Sequence, residues 1–349
     1  MDDRVVYRIL DAAANRAAEG LRTAEEFARF GLGDALLSRQ AKELRHGLTT
    51  TLGQLDRQRL LAARDTPADC GTEITTSEET RRQEVEQVLA AALARVQQSL
   101  RCLEEYGKLI SAQLAAALEQ LRYRSYSLEK DLLLAISRRA RIADSRLYVL
   151  VDLAGEEEDW LRRIVQLADD GVDVIQLRDK NASDRLLLQR AALAADALCR
   201  EPHEQRCQLI INDRADIAAA VGADGVHVGQ DELTVAAVRR VIGADKIVGV
   251  STHSMEQALQ AVDEGADYIG CGPTFPSQTK QFEAFPGVDF LQRVAAEITV
   301  PAFAIGGIDA GNLAQVIEVG CLRIAVGRAV WQADDVAGVC QLLKGQLVS

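Results

Sequence analysis

Val172-Asp-Val-Ile-Gln-Leu-Arg-Asp-Lys180 carries an apolar run directly into a polar, cationic end. Val172 to Leu177 reads as a buried strand. A side-chain period of two then puts Gln176, Arg178 and Lys180 on one face. Two cations and an amide aimed the same way at a strand end make a pocket for an anion, with a diphosphate the first ligand to consider. The competing reading is that Arg178 and Lys180 simply reach solvent, as such residues at strand ends often do.

Outward from this stretch the same grammar repeats. Short apolar runs stand at 147–153 (LYVLVDL), 208–212 (QLIIN), 225–229 (GVHVG) and 247–251 (IVGVS), and again at 268–272 (YIGCG), 301–307 (PAFAIGG) and 323–327 (RIAVG). Helical segments such as 159–170, 233–242 and 255–264 lie between them. Eight strand–helix units in about 200 residues predict an α/β fold, a TIM-type (βα)8 barrel. A doubly wound open sheet is the alternative. It fits less well, because polar motifs follow nearly every strand instead of one switch point.

The first 140 residues read differently. Val6, Ile9, Leu10, Ala13, Ala17, Leu21 and Ala24 recur at helical spacing and are followed by a Gly31-Leu-Gly33 break. A second helix runs through Leu36 to Leu55. Thr76 and Glu79 suggest a capping box for a third, carrying Val85 to Ile110, and a shorter one follows Tyr123. This predicts an antiparallel helical bundle over 1–140, a polar linker at Ser137–Ser145, and the barrel over 141–349.

Composition narrows the function. Hydrophobic residues make up 48% of 349, but aromatics only 4%, so the core is expected to be aliphatic. A net charge of -12 and a pI near 5.0 argue against nucleic acid or an anionic membrane as partner. No apolar run reaches the about 18 residues of a membrane span, and the opening Met1-Asp-Asp-Arg4 is no signal peptide. Seven scattered cysteines without a C-x-x-C pair suit reduced thiols in a cytoplasm. Association with a second copy of the chain stays open.

In a barrel the strand ends converge on one mouth. Asn212-Asp213 follows the third strand and Asp231-Glu232 the fourth. Asp213 with Asp231 or Glu232 makes a hard-oxygen site suited to Mg²⁺, unless the pairs are a turn and an N-cap. His227, inside the fourth strand, reads as a packed, hydrogen-bonded histidine. Ser251 ends the fifth strand and can donate to phosphate, while Ser254 suits the N-cap of the next helix. The longest loop, 272–287, carries Ser277, Thr279 and Lys280 and reads as a lid. Gly306-Gly307 and Gly327 end the last two strands, where backbone amides can receive a phosphate. Two anionic addresses with no evident nucleophile imply transfer between two phosphorylated small molecules.

The ordered motifs Gln-Leu-Arg-Asp-Lys, Ile-Asn-Asp-Arg-Ala-Asp, Gly-Ala-Asp-Gly-Val-His-Val-Gly-Gln, Gly-Val-Ser-Thr-His, Gly-Pro-Thr-Phe-Pro-Ser-Gln-Thr-Lys and Ala-Ile-Gly-Gly-Ile cover about 146–340. The region resembles thiamine-phosphate synthase. That resemblance implies condensation of hydroxymethylpyrimidine diphosphate with carboxythiazole phosphate, giving thiamine phosphate, diphosphate and CO₂. It implies that Gln176, Leu177, Arg178, Asp179, Lys180, Asn212, Ser251 and Lys280 hold the pyrimidine diphosphate, with Arg178, Lys180, Ser251 and Lys280 catalytic. Mg²⁺ falls to Asp213 and Glu232, with Asp231 as the alternative. The thiazole phosphate falls to Ser277, Gln278, Thr279, Gly307, Val326 and Gly327. Two departures stand out: the family commonly has Asp at 232 and often Ser at 327.

Some bacterial synthases carry a helical extension resembling 15–22, although a solvated helix face also explains Asn15, Arg16, Glu19 and Arg22. Two other functions compete with the synthase. A thiazole tautomerase shares the barrel but has no use for a diphosphate cradle, and a phosphate-ligand sensor would use the bundle as output.

Overall fold

The computed structural model describes residues 3–67, 82–153, 155–200, 207–276 and 286–348. The chain divides into two compact units, 1–133 and 134–349. In the first, α1 (Asp3–Glu26) packs on α2 (Ala35–Leu52), α3 (Arg57–Ala63) and α4 (Val85–Gly107). Of the apolar positions picked out by helical spacing in α1, Val6, Leu10, Ala13, Ala17, Leu21 and Ala24 are buried and Ile9 only half-buried, while Tyr7, Gly20 and Glu25 are buried as well. After Glu26 the helix widens into a π turn, Phe27–Gly31, at the anticipated glycine break. Asp34 then caps α2, accepting from the Leu37 amide at 2.9 Å. Thr76 and Glu79 lie outside the described residues.

Two expectations about the helices fail. The helix foreseen as short after Tyr123 is α5 (Ala112–Ala143), at 32 residues the longest described. Residues 137–143 of the expected linker are its last turns. Their arginines read as linker polarity, but they are paired within the second unit. Arg138 Nε donates to buried Asp267 at 3.0 Å, and Arg141 bonds the carbonyl of Asp245.

In that unit β1 (Leu147–Val151), β2 (Val174–Leu177), β3 (Gln208–Asn212), β4 (Gly225–Val228), β5 (Ile247–Thr252), β6 (Tyr268–Cys271), β7 (Ala302–Ile305) and β8 (Ile324–Val326) pair in parallel and in chain order. β8 returns to β1, closing the barrel. Helices α6 (Glu157–Asp169), α7 (Asp184–Arg200), α8 (Ala215–Val221), α9 (Val235–Ile242), α10 (Met255–Asp263), α11 (Gly287–Glu297), α12 (Leu313–Glu318), α13 (Arg328–Trp331) and α14 (Val336–Val348) run between and after the strands.

The layer between strands and helices is aliphatic, as composition suggests. The barrel interior is not. Tyr148, Tyr268 and Phe303 meet there with ring centroids 5.3–5.8 Å apart, joined by Val174, Ile210, Ile247 and, from α5, Ile142. Few aromatics in the whole chain did not mean few at its centre.

A Gly-apolar-Asp triplet recurs before β2, β4 and β6, as 171–173, 222–224 and 265–267. Each glycine has positive φ, which turns the chain from the preceding helix into the strand. Each aspartate then accepts a backbone N–H of the adjoining strand at 2.8–3.0 Å. These carboxylates pin the N-terminal end of the barrel and leave the opposite end for chemistry.

Candidate active site

At the end of β2, alternation works as the sequence implies. Val174 faces the barrel interior and Leu177 the outer layer, so Gln176 turns inward. Its amide Nε2 donates to the Tyr148 hydroxyl at 2.7 Å. The charge of Arg178 acts on both Asp213 and His227, and that of Lys180 on Asp213, so both cations sit over the mouth. The other two residues of the pentapeptide have structural partners. Leu177 is buried in the outer layer. Asp179 accepts from the amides of Asn181 and Ala182 and pairs with Arg190 at 3.0 Å.

Asn212 ends β3 and donates to the Asp213 carboxylate at 2.6 Å. Asp213 itself has a φ of 61°, unusual for a residue with a side chain, and its amide is tied to the His227 carbonyl at 2.8 Å. Burial raises its carboxyl pKa, and the charge of Glu232 raises it further, against the pull of Lys180, Asn212 and Arg178. The Glu232 carboxylate folds back over Gly229 at the end of β4, where even a Cβ would collide with it. Asp231 and Glu232 are both exposed, but only Glu232 figures among the groups that shift Asp213. Nor does Asp231 cap α9: that cap is Thr234, whose hydroxyl accepts from the Ala237 amide at 3.3 Å. The helix begins two residues later than expected, which releases the acidic pair from capping.

Among the described residues no cluster of three or more His, Cys, Asp or Glu side chains is arranged for a metal. Two opposed oxygen donors nevertheless suit Mg²⁺, which keeps several waters and takes the rest of its shell from phosphate. The repulsion that raises Asp213 is what a cation between the two would relieve.

His227 is packed and hydrogen-bonded. Its Nε2 lies 2.8 Å from the Ser251 hydroxyl and its Nδ1 3.1 Å from the Tyr268 hydroxyl. Tyr268 in turn meets Tyr148 at 2.9 Å, which returns the chain to Gln176. Burial, aided by the Arg178 charge, pushes the imidazole pKa down to about 4, so the ring is neutral near pH 7. Sequence reading missed Tyr148 and Tyr268. The available signal was their place on the inward phase of β1 and β6.

On the far side of the mouth, Thr274 and Phe275 donate backbone bonds to Ile305 and Gly306. Gly307 has a φ of 66°, and a Cβ there would stand 2.9 Å from the carbonyls of Phe275 and Pro276. Only glycine fits this close approach. Val326 is buried at the end of β8, and at Gly327, which follows it, an added Cβ would meet only the Leu150 carbonyl, at 3.9 Å. Ser277, Gln278, Thr279 and Lys280, with most of the expected lid, lie outside the described residues. In α1, Asn15 and Arg16 bond carbonyls one turn back, and Arg22 pairs with Glu26, as a solvated face would.

Fold and mouth together define a (βα)8-barrel enzyme whose strand ends offer cations, an amide and two facing carboxylates. A family model described as thiamine monophosphate synthase matches residues 147–330, and one described as the ThiD2 family matches 8–131. A thiamine-phosphate synthase of Rhodopirellula baltica is 48% identical over 342 residues, covering 95% of this chain and 90% of that one. One from Nostoc punctiforme is 41% identical over 344 residues, covering 99% and 95%. The solved thiamine phosphate pyrophosphorylase of Pyrococcus furiosus superposes with a TM-score of 0.52 at 30% identity, over 61% of this chain and 98% of its own. The chain belongs to the thiamine-phosphate synthase family, transferases of thiamine biosynthesis.

Proposed function

We propose that the barrel joins hydroxymethylpyrimidine diphosphate to carboxythiazole phosphate, releasing diphosphate and CO₂. The observation that carries this reading is the meeting of Arg178, Lys180, Asn212, Asp213 and Glu232 at three adjacent strand ends, in a chain of this family. Arg178, Lys180 and Ser251, with Lys280 from the loop, would hold the diphosphate, and Gln176 and Asn212 would fix its pyrimidine end. Asp213 and Glu232 would hold Mg²⁺, which when bound would offset negative charge on the diphosphate. Gly307 and the Val326-Gly327 amides, with Ser277 to Thr279, would receive the second phosphate.

Breaking the C–O bond sends its electron pair to the diphosphate and leaves a pyrimidine-stabilised cation. Arg178, Lys180 and Ser251 stand where that charge develops, a role worth roughly 3–4 kcal/mol for a well-placed donor. No general base is required for ionisation. The thiazole nitrogen attacks the cation with its lone pair, CO₂ leaves, and the electron pair left on the ring takes a proton. Much of the remaining catalysis is the holding of two substrates in line.

Free thiols at all six described cysteines suit a reducing compartment such as the cytoplasm. No described helix is long and apolar enough to cross a membrane. The direct test is incubation of the purified chain with both substrates and Mg²⁺. Formation of thiamine phosphate is expected. Its absence from folded protein that still binds both ligands would overturn the reading.

A further inference from the structure

Five side chains form one continuous hydrogen-bonded path through the barrel interior. It runs Gln176 Nε2 to Tyr148 Oη at 2.7 Å, on to Tyr268 Oη at 2.9 Å, to His227 Nδ1 at 3.1 Å, and from His227 Nε2 to Ser251 Oγ at 2.8 Å. The Ser251 end is half-buried at the mouth, while Gln176 and the three middle residues are buried, beside Phe303, Val174 and Ile210.

Each middle group has one proton to give and one lone pair to offer along the path: a phenol, a phenol and a neutral imidazole. Donor direction therefore cannot change at one link without changing at all. With the Gln176 amide donating, Tyr148 donates to Tyr268 and Tyr268 to His227 Nδ1. The single imidazole proton then sits on Nε2 and is donated to Ser251. Ser251 must turn its own proton into the mouth. Read from the other end, a serine facing an anion has to donate, which requires the same direction. The two ends agree independently.

We propose that this path is a polarity relay: the orientation of the Gln176 amide fixes the Ser251 hydroxyl as a donor at the site, with Tyr148, Tyr268 and His227 as positioning residues. The proposal deepens the synthase reading and rests on it for the roles of Gln176 and Ser251. Reversing the relay would make Ser251 an acceptor and set its lone pairs against the departing diphosphate.

The test reads the His227 tautomer by ¹⁵N NMR of the histidine-labelled full chain at pH 8, without substrate, with His227→Gln assigning the signal. The native chain should carry its proton on Nε2. Gln176→Glu places an obligate acceptor at the far end and should move the proton to Nδ1, with no contact between the two residues. Adding Tyr148→Phe to that variant cuts the path and should restore Nε2–H. A proton that stays on Nε2 in Gln176→Glu, or one that remains on Nδ1 in the double variant, would overturn the relay.

Tyr268→Phe keeps the ring and removes one link. It should lower kcat about tenfold, with KM within about twofold and Tm within about 3 °C. An unchanged kcat would also overturn the positioning role. Because the tautomer is read without turnover, a chain that makes no thiamine phosphate yet shifts its tautomer would count against the synthase reading alone.

Discussion

Glu232, on the loop after β4, adds to burial in raising the carboxyl pKa of Asp213 at the end of β3, so two acids face each other across adjacent strand ends. Asp231 does not figure among the groups that shift Asp213. Glu232→Gln should therefore raise the half-saturating Mg²⁺ concentration about tenfold in a turnover assay, and Asp213→Asn should lower kcat at least about a hundredfold. Asp231→Asn should leave both within about twofold. Equal effects at 231 and 232 would remove the assignment of Glu232 as the second ligand.

His227 is neutral in the folded chain because its pKa falls to about 4, against an unfolded value of 6.5. A folded pKa below the unfolded one means the unfolded chain binds the proton first. Stability is thus whole above pH 6.5 and is lost as pH falls from 6.5 through 4, by about 3 kcal/mol from this group at most. Denaturant titrations of the native chain and His227→Gln should converge at low pH. Parallel stability profiles would contradict this.

A side chain at 327 has room. A Cβ on Gly327 meets only the Leu150 carbonyl, at 3.9 Å, although its φ of -112° and ψ of -100° lie outside the favoured α and β regions. Gly327→Ser should therefore lower Tm by no more than about 4 °C and lower KM for the thiazole phosphate about threefold, by one added hydrogen bond. Gly307→Ala is the contrast: positive φ and two carbonyls at 2.9 Å should cost about 1–3 kcal/mol and displace the start of the β6 loop.

Lys180 is exposed and acts on Asp213 only through charge. Lys180→Ala should reduce turnover or affinity for the diphosphate substrate without lowering Tm. Arg138 should behave oppositely. It is buried against Asp267, which keeps Arg239 at 2.9 Å as a second partner. Arg138→Ala should cost about 2 kcal/mol, less than a fully orphaned buried acid, while the remaining folded enzyme keeps its kcat. Calorimetry with active-site titration separates the two cases.

The barrel was legible because a period of two and a recurring apolar length are local signals. The observed strands fall within a residue or two of the expected runs, and the convergence of Arg178, Lys180 and Asp213 followed from topology alone. What the sequence hid was pairing. The arginines of 138–141 look like linker residues until Asp267 and Asp224 are placed beside them. Asp179 looks like a ligand residue until Arg190 takes its carboxylate. Tyr148 and Tyr268 are 120 positions apart, and only closure of the sheet makes them neighbours. Asp231 and Glu232 are indistinguishable by composition, and only the return of the Glu232 carboxylate over Gly229 distinguishes them.

The end of α5 has a practical consequence for dividing this chain. Ile142 is fully buried in the barrel interior cluster, and Arg138 reaches the carbonyl of Ala244 as well as Asp267. A fragment begun at Leu147, where the family match begins, would contain every strand and every site residue yet lack its stopper. It should expose the lowest ring of apolar side chains and aggregate, whereas one begun near Leu134 should stay monodisperse. The cut that preserves the enzyme lies inside a helix, upstream of the first residue that chemistry requires.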